Sequence, residues 1–579
     1  MELPPVPPPE MLHRFGAASL RPGQRAAYEA LAANRDVLVI LPTGGGKSLC
    51  YQLPAACGAA PAVVVSPLVA LMKDQVDVLR RRGIAAAQLS GAVSAADRER
   101  AWAALEGGAL TVLYVAPEAL VAPATLRRLA RVGLRLLAID EAHCISEWGE
   151  SFRPSYLRLG DVRRALSSPP TIALTATATP RTARDIVARL GLCDPVTVAG
   201  GFDRANLHLH VRPVASDADR HARLLALGRA APGATIAYAS SRRETERLAG
   251  AFRRIGVAAS PFHAGMSTDE RALLQDKFQE NRIRIIVATN AFGMGVDKPD
   301  VRLVLHAAPP RTLEAYYQEA GRGGRDGAVA DCVMFLGPND LARDRAHIAA
   351  ARVTPALLTR LVALLSAQTA PRRADLTEAA ATARLAHALA VESRDVSAAL
   401  RLLSEEGALA PSAGTGALRL LASASRLASD RTITPDDIRA LRQLLDRAGA
   451  GEDADQGADL YADPSAGDER TSPLTLRQVA RVAPDGDAAR FLRRLQAQQV
   501  AVWQPLAPTF ALRCAPSPTT CDALAARHAS RQARDLWRHH QVVRMVTQPR
   551  CRRLVLLRYF GDVAPVGSCG ACDVCGIAR

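Results

Sequence analysis

The chain has 579 residues and a formal net charge of +16. This length exceeds what one hydrophobic core serves, so we expect roughly three or four domains. The positive charge favours a polyanionic partner, most simply nucleic acid, although a basic composition throughout the source proteome would also produce it. Four of the eleven cysteines are grouped near the C-terminus, which favours a metal site in a reducing compartment over a secreted disulfide scaffold. No apolar run approaches membrane-spanning length, and we expect a cytoplasmic protein without membrane partners.

Residues 1–10 form a proline-rich tail, and the first clear strand signal follows at residues 36–40. That apolar run leads into a glycine turn and a predicted helix, which is the context a phosphate-binding loop requires. Its backbone N–H groups would face phosphate oxygens, Lys47 would reach the terminal phosphates and Ser48 would bind Mg²⁺. A plain strand-to-helix turn is the alternative.

The segments between this loop and the next motif contain candidates for contact with a phosphate backbone. Ser66 and Lys73 lie in a strand-then-loop segment, and parallel sheets place such loops on the ligand-binding edge. Ordinary loop residues are the alternative interpretation.

An acidic pair, Asp140 and Glu141, follows a predicted buried strand at residues 134–139. Nucleotide hydrolysis needs a carboxylate on Mg²⁺, which Asp140 provides, and a group that positions the attacking water, which suits Glu141. Such a pair is usually part of a solvated loop. The glycine loop with its lysine upstream favours the catalytic interpretation.

An aromatic segment comes next in a chain that is otherwise poor in aromatic residues. Trp148, Phe152 and Tyr156 lie within nine residues, with Arg153 beside them. A contribution to the core is one interpretation. The glycine, serine and charged residues between the rings favour an exposed loop whose rings stack on bases.

A second α/β unit begins near residue 201, with strand signals at 235–241 and 285–289. It has no phosphate loop of its own. It offers Arg322 and Arg325 in a glycine-rich turn, and a fixed guanidinium can stabilise charge on a γ-phosphate in the transition state. Solvated arginines in a turn are the alternative.

Together, the glycine loop and Asp140-Glu141-Ala142-His143 resemble the motifs of the RecQ family of DNA helicases. The resemblance covers residues 11–345 and 531–579, and Trp148–Tyr156 is similar to the family's aromatic-rich loop. It implies an α/β fold with two tandem RecA-like parallel-sheet lobes, then a mostly helical or winged-helix region and a C-terminal zinc-binding module. The expected divisions are residues 1–10 (proline-rich tail), 11–200 (ATP-binding lobe 1), 201–345 (lobe 2), 346–450 (helical or possible winged-helix segment), 451–470 (acidic flexible linker), 471–530 (possible winged-helix segment) and 531–579 (helical hairpin and zinc-binding module).

The resemblance also implies roles for individual residues. Arg325 would be the arginine finger between the lobes, and residues 174–179 would link the state of ATP to lobe movement. Gln24 would read adenine, since an amide can both donate to and accept from its edge. The expected catalytic residues are Lys47, Asp140, Glu141 and Arg325, with Mg²⁺ on Ser48 and Asp140. The expected ATP-binding residues are Arg21, Gln24, Thr43, Gly44, Gly45, Gly46, Lys47, Ser48, Asp297, Gln318, Arg322 and Arg325. The expected DNA-binding residues are Ser66, Lys73, Trp148, Phe152, Arg153 and Tyr156.

Helical spacing dominates the flanks of an acidic, flexible linker at residues 451–470. Each flank suggests helices followed by short strands, which is typical of the winged-helix folds that hold duplex DNA in RecQ proteins. Trp503 or Phe510 is a candidate wedge between DNA strands, with a core position in a small hairpin as the alternative. The predicted pairs are 393–409 with 418–421, and 474–499 with 500–503 and 509–513.

Residues 531–579 are expected to form a helical hairpin and a zinc module. Cys551 lies in a predicted helix, and Cys569, Cys572 and Cys575 form a C-x-x-C-x-x-C loop. Four thiolates suit tetrahedral structural zinc with no open position for catalysis. Two further cysteines, Cys514 and Cys521, are predicted not to be ligands. In the better-known RecQ arrangement this module follows lobe 2 directly, whereas here it comes last.

The predicted function is ATP-dependent unwinding of DNA in recombination, repair or replication, with 3′ to 5′ movement implied by the resemblance. The expected partners are single-stranded and duplex DNA, with single-strand-binding or repair proteins, and the chain is expected to be a monomer. An RNA helicase is one alternative, against which the aromatic segment and the zinc cysteines count. A non-catalytic DNA-binding scaffold is the other, against which the intact catalytic residues count.

Overall fold

The computed structural model divides into two compact units, residues 1–346 with 534–579, and residues 347–533. Its described residues are 3–42, 44–91, 93–146, 154–289, 292, 298–367, 378–409, 415–420, 434–447, 474–475, 479, 481–484, 491–492, 495, 501–505, 514–562 and 568–577.

The strands of the described residues form three sheets. They are β1 Val37–Ile40, β2 Ala62–Val65, β3 Ala86–Leu89, β4 Val112–Val115, β5 Leu136–Ile139, β6 Thr171–Thr175, β7 Val196–Ala199, β8 Leu207–Pro213, β9 Ala234–Tyr238, β10 Ala259–Phe262, β11 Ile285–Ala288, β12 Val301–His306, β13 Ala330–Leu336, β14 Thr415–Leu420, β15 Leu474–Thr475, β16 Ala501–Pro505, β17 Ala571–Cys572 and β18 Gly576–Ile577.

The helices surround these sheets, and a 3₁₀ turn spans Ala142–Ile145. The helices are Pro9–Arg14, Pro22–Ala32, Leu49–Cys57, Val69–Arg81, Ala95–Glu106, Pro117–Leu120, Pro123–Val132, Pro154–Leu157, Leu159–Ala165, Pro180–Leu190, Asp217–Ala230, Arg242–Arg254, Thr268–Gln279, Leu313–Ala320, Asp340–Ala349, Pro355–Ser366, Glu378–Leu389, Ser393–Glu405, Pro435–Arg447, Pro518–Thr547 and Arg552–Phe560. None of these helices has the length and apolarity that a membrane span requires.

Lobe 1 is built on a parallel sheet in the order β3-β4-β2-β5-β6-β1-β7. Strands β1, β2, β4 and β5 are buried at every position, as expected for unbroken apolar runs in a sheet covered on both faces. Alternate residues of β1 enter two separate cores: Leu38 and Ile40 one, Val37 and Val39 the other. The phosphate loop and the acidic pair therefore leave the same sheet edge, at the ends of β1 and β5.

Lobe 2 has the order β10-β11-β9-β12-β13-β8, all parallel, and the zinc module continues this sheet. Strand β17 pairs in parallel with β8, and β18 pairs antiparallel with β17. The predicted fold class is thereby confirmed: two tandem parallel-sheet lobes, a mostly helical region and a terminal zinc-binding module.

The second unit packs helices around an apolar core that contains Leu361, Val396 and Leu403. Strand β14 pairs antiparallel with both β15 and β16, so strands from the two flanks of the linker share one sheet, which the sequence did not predict. Trp503 stands opposite Leu418 in that ladder, whereas Phe510 and the linker at 451–470 lie outside the described residues. Because all of 509–513 lies outside them, the predicted pair of 500–503 with 509–513 stays a prediction.

Helix Pro518–Thr547 has 30 residues and crosses the predicted boundary between residues 530 and 531. The helix is continuous there because the stretch contains no glycine, and its proline stands at the first helical position, where proline is tolerated. The division between the two compact units also falls inside this helix, between residues 533 and 534.

Candidate nucleotide site and zinc module

The glycine loop turns tightly between β1 and helix Leu49–Cys57. Gly44 and Gly46 have φ values of +82° and +75°, which other residues rarely adopt. A Cβ added to Gly46 would lie 2.3 Å from Gln24 Nε2. The loop therefore keeps backbone groups exposed around a cradle that side chains would fill, as phosphate binding requires.

Arg21 and Gln24 hold this loop from the neighbouring helix, Pro22–Ala32. Gln24 Nε2 donates to the carbonyls of Gly46 (3.2 Å) and Gly45 (3.4 Å), and Arg21 Nη1 donates to the Gly44 carbonyl (3.2 Å). The Gln24 Oε1 atom accepts from the Arg21 backbone N–H at 3.0 Å. The Gln24 amide is thus engaged with the loop, and adenine reading by Gln24 stays a prediction.

Lys47 and the acidic pair meet at the carboxyl edge of the lobe 1 sheet. Lys47 Nζ donates to the carbonyls of Leu41 (3.3 Å) and Pro42 (3.5 Å). Burial lowers the pKa of Lys47, and the charges of Glu141 and Asp140 oppose that change. Among the described residues, the ammonium group therefore donates to carbonyls of the loop and feels the charges of both carboxylates.

Asp140 and Glu141 are carboxyl groups in a place where ionisation is costly. Burial, and then the charge of Glu141, raises the pKa of Asp140 to about 7, and burial also raises the pKa of Glu141. Within the described residues, Glu141 Oε2 is buried and accepts no hydrogen bond. The carboxylate and hydroxyl oxygens are ligands that suit Mg²⁺, and the lysine and glycine loop suit the phosphates of a nucleoside triphosphate. Ser48 and Asp140 would hold the ion, and Glu141 would position a water.

Lobe 2 closes the site with helix Leu313–Ala320 and the turn that follows it. A Cβ added to Gly44 would lie 3.7 Å from Arg325 Cγ, so Arg325 lies against the phosphate loop. Its charge lowers the pKa of Lys47, and the charge of Arg322 lowers that of Glu141. Both arginines therefore act electrostatically on the carboxylates and lysine of the other lobe.

A series of polar contacts joins Glu141 to lobe 2. His143 Nδ1 lies 3.3 Å from Glu141 Oε2 and 3.0 Å from Thr175 Oγ1. The Thr175 hydroxyl accepts the Thr177 backbone N–H (3.2 Å), and Gln318 Nε2 donates to Thr177 Oγ1 (3.1 Å). Burial lowers the pKa of His143 to about 4, so the imidazole is neutral at pH 7. We call this series the Glu141–Gln318 path.

The four predicted zinc ligands converge. The Sγ atoms of Cys551, Cys569, Cys572 and Cys575 all lie within 4.8 Å of one another. Four Zn–S bonds of about 2.3 Å in a tetrahedron separate the sulfurs by about 3.8 Å, so this cluster fits structural zinc. Cys551 caps helix Arg552–Phe560 from outside, which corrects its predicted place within a helix.

Two arginines beside the cluster anchor the zinc module. The buried Arg552 forms two 3.0 Å hydrogen bonds with Asp573, and Arg553 Nη2 donates to the carbonyls of Arg204, Ala205 and Leu207. The ring of Phe560 stacks on Phe202, with centroids 4.4 Å apart. The module is thus docked on the start of lobe 2.

Cys514 and Cys521, the two cysteines predicted not to be zinc ligands, lie apart from this cluster. Cys521 is buried in the core of the second unit, and Cys514 is exposed. That neither binds zinc stays a prediction.

Comparison with known proteins gives matches along most of the first unit. The DEAD/DEAH box helicase family matches residues 21–186, the helicase conserved C-terminal domain matches 219–327, and the RecQ zinc-binding family matches 519–576. The last match coincides with the cysteine cluster and the docked helix. The chain belongs to the RecQ family.

Named relatives agree with this membership. The ATP-dependent DNA helicase RecQ of Pasteurella multocida (strain Pm70) is 41% identical over 334 residues, which are 58% of this chain and 52% of that protein. The probable ATP-dependent DNA helicase RecS of Bacillus subtilis (strain 168) is 41% identical over 328 residues, 56% of this chain and 66% of that protein. The chain thus spans about half to two thirds of the length of these relatives.

A solved structure shares the fold. The crystal structure of the DUF1998 helicase MrfA bound to DNA is 21% identical, with a TM-score of 0.50, and the match covers 70% of this chain and 61% of that chain.

The DNA contacts predicted for this RecQ chain divide into three groups. Lys73 is exposed on helix Val69–Arg81 and pairs with Asp77 at 2.8 Å. Ser66 and Tyr156 are buried, and the Tyr156 hydroxyl donates to the Asp140 carbonyl at 3.0 Å. Direct DNA contact by these two side chains is therefore wrong for this arrangement of the lobes, because Tyr156 packs as a core residue. The predicted DNA contacts Trp148, Phe152 and Arg153 lie outside the described part of the chain, as do the predicted ATP contacts Thr43 and Asp297.

The sequence did not single out every residue of the Glu141–Gln318 path. It identified the segment 174–179 and Gln318, but not the contact between Thr177 and Gln318, which are 141 residues apart. The signals that were available are the histidine of Asp140-Glu141-Ala142-His143 and the hydroxyl-rich composition of 174–179.

Proposed function

We propose that this chain is an ATP-dependent DNA helicase that couples ATP hydrolysis to 3′ to 5′ movement along a single strand and to duplex opening. The observation that carries the proposal is a single site built from both lobes. Lys47, Asp140 and Glu141 stand on one side, and Arg325 lies against the phosphate loop from the other. Membership of the RecQ family and the names of the relatives support DNA as the substrate.

The chemistry follows from the charges around the loop. Bound Mg²⁺–ATP supplies the phosphoanhydride and the cation that favours ionised Asp140. Lys47 exchanges its loop carbonyls for phosphate oxygens, Glu141 orients a water, and Arg325 stabilises charge that develops on the γ-phosphate. Loss of that phosphate removes the attraction between Arg325 and the site, and the Glu141–Gln318 path gives the lobes a second contact sensitive to this state.

The direct test is unwinding of partial duplexes that carry a 3′ or a 5′ single-stranded tail, with and without ATP. We expect ATP-dependent opening of the 3′-tailed substrate alone. Opening from the 5′ tail would refute the direction. Hydrolysis stimulated by single strands without any opening would limit the function to translocation.

Lys47→Ala tests the phosphate loop. Removing a preorganised charge from the reacting phosphates costs about a hundredfold or more in kcat, so we expect hydrolysis near the background rate. Lys277→Ala, in helix Thr268–Gln279 of lobe 2, is the matched control and should retain turnover. Retained hydrolysis in Lys47→Ala would show that the loop is misassigned.

An RNA helicase is the second candidate, since the DEAD/DEAH box match is broad. The zinc cluster favours DNA through its family match. Comparing the stimulation of hydrolysis by single-stranded DNA and by RNA of the same sequence separates the two, and we expect DNA to be the stronger activator.

We also propose that the chain works as a cytoplasmic monomer, alongside single-strand-binding or repair proteins. A thiolate zinc cluster needs a reducing environment, which supports that compartment. Sedimentation of the purified protein with and without DNA would test the monomer, and a concentration-dependent dimer would contradict it.

A further inference from the structure

A buried set of polar side chains runs through lobe 1 beside the catalytic residues. Gln52 Nε2 donates to the Tyr114 hydroxyl at 2.8 Å and to Gln75 Oε1 at 2.7 Å. The Tyr114 hydroxyl lies 3.4 Å from the hydroxyl of Tyr51, and the two rings meet edge to face. Tyr51, Gln52 and Tyr114 are each at most 3% exposed. We call these four residues the Tyr51–Gln75 network.

One end of the network touches the magnesium side of the nucleotide site. Tyr51 follows Ser48 by one helical turn, at the start of helix Leu49–Cys57. Burial raises the pKa of Tyr51 well above its usual value, and a hydrogen bond with the Ser48 side chain opposes that rise. Burial raises the pKa of Tyr114 too, and the charge of Asp140 adds to the rise for both phenols. Both phenols are therefore neutral donors close to the two groups that would hold Mg²⁺.

The other end lies on the helix that presents Lys73. Gln75 is half-buried on helix Val69–Arg81, two residues after the exposed lysine. A shift of this helix as a strand binds would change the distance between Gln75 and Gln52. The hydrogen bond between them is thus the link between the strand-facing helix and the interior network.

Stability alone gives no reason for these polar groups. The network lies in the apolar core that contains Met72 and Val76, where apolar side chains of similar shape would avoid the desolvation of two amides and two hydroxyls. Fully paired networks of this kind fix one arrangement of the groups that they join.

We propose that Gln75, Gln52 and Tyr114 are positioning residues that transmit strand binding at helix Val69–Arg81 to Ser48 and the magnesium site. The inference rests on the proposed function, because it assigns the route by which a bound strand accelerates hydrolysis within lobe 1. It differs from the Glu141–Gln318 path, which joins the two lobes.

Gln75→Leu and Gln75→Glu test the link. Leucine removes the acceptor, whereas a glutamate carboxylate still accepts from Gln52 Nε2. For Gln75→Leu we expect a roughly tenfold smaller stimulation of kcat by single-stranded DNA, with the DNA-free rate and the KM for ATP changed by less than about twofold. Gln75→Glu should retain most of the stimulation, and the Kd for a fluorescent oligonucleotide should stay the same in both variants.

Tyr114→Phe interrupts the network inside the lobe by removing one oxygen. Tyr28→Phe makes the same change at another buried tyrosine of lobe 1, near Cys57, and is the matched control. We expect the first to lose DNA stimulation and the second to keep it.

The outcomes separate the two proposals. Full stimulation in Gln75→Leu, equal losses in Gln75→Leu and Gln75→Glu, or equal losses in the two tyrosine variants would each overturn the network. A wild-type chain whose hydrolysis no DNA stimulates would instead contradict the proposed function.

Discussion

The position of Asp140 suits catalysis but lowers the stability of the fold. Its carboxyl group is buried beside Glu141, and its pKa is raised to about 7 by burial and then by the charge of that neighbour. An ion and a triphosphate are what make its ionised form favourable. In their absence the residue is a cost to the fold, and that cost depends on pH.

The first prediction concerns Asp140→Asn in the protein without magnesium and nucleotide. The unfolded carboxyl group loses its proton near its ordinary pKa of 3.8, while the folded one keeps it to about 7. The unfolded state therefore binds fewer protons between these values, and the contribution of Asp140 to stability falls as the pH rises through this range. Asparagine cannot ionise, so the variant should have a higher Tm than wild type, with a larger gain at about pH 8 than at about pH 5.

Thermal unfolding followed by circular dichroism at the two pH values measures this difference. Addition of Mg²⁺ and a non-hydrolysable ATP analogue should reduce it, because only the wild type gains a ligand for the ion. If the gain in Tm is the same at both pH values, the pKa of Asp140 is not raised in the folded protein.

At the scale of elements, the phosphate loop is the most constrained segment of lobe 1. In Gly46→Ala, the added Cβ meets Gln24 Nε2 at 2.3 Å and the residue keeps a positive φ. Gly83 has nearly the same φ, +72°, with open space around it. The strain of a positive φ alone is about 1–2 kcal/mol, so Gly83→Ala should lose that stability and keep nucleotide affinity. Gly46→Ala should lose nucleotide affinity as well, and isothermal titration with an ATP analogue would show equal affinities if the contact with Gln24 were irrelevant.

The zinc module gives a prediction at the same scale. Cys572→Ser removes one of four thiolates from the cluster, and metal ligation supplies folding energy to such modules. We expect a lower zinc-to-protein ratio and a lower soluble yield. Cys193→Ser, at an exposed cysteine outside the cluster, should leave both unchanged. An unaltered metal content in Cys572→Ser would refute the ligand set.

The sequence predicted those elements whose chemistry is local. Lys47 and Asp140 follow strands whose apolar runs are unmistakable, and the C-x-x-C-x-x-C loop shows its ligands directly. Tyr156 was misjudged because glycines and charges around it indicate a loop, while its burial depends on the backbone of Asp140. The pairing of β14 with β16 was not predicted for a similar reason: the two strands are more than 80 residues apart in the sequence, and no local pattern specifies such pairing.

For the whole molecule, Gln318 offers a test of how the lobes communicate. Gln318→Ala removes the hydrogen bond to Thr177 while leaving Lys47, Asp140 and Glu141 in place. We expect DNA-stimulated kcat to fall about tenfold, a typical size for coupling between sites, with little change in the affinity of a non-hydrolysable ATP analogue. Gln318→Glu should restore part of this loss, because its carboxylate can accept a hydrogen bond from the Thr177 hydroxyl. A large loss of nucleotide affinity with an unchanged kcat would place Gln318 in binding instead.

The ribbon of β17 and β18 has a consequence for how the protein behaves when it loses metal. β17 sits beside β8, which otherwise would end the lobe 2 sheet with unpaired backbone groups. Exposed strand edges recruit strands from other chains. Zinc therefore holds the two-residue β17 against β8, where Cys572 pairs with Leu209. Removal of the metal with a chelator is expected to expose this edge of β8 and to cause self-association of the protein before it unfolds.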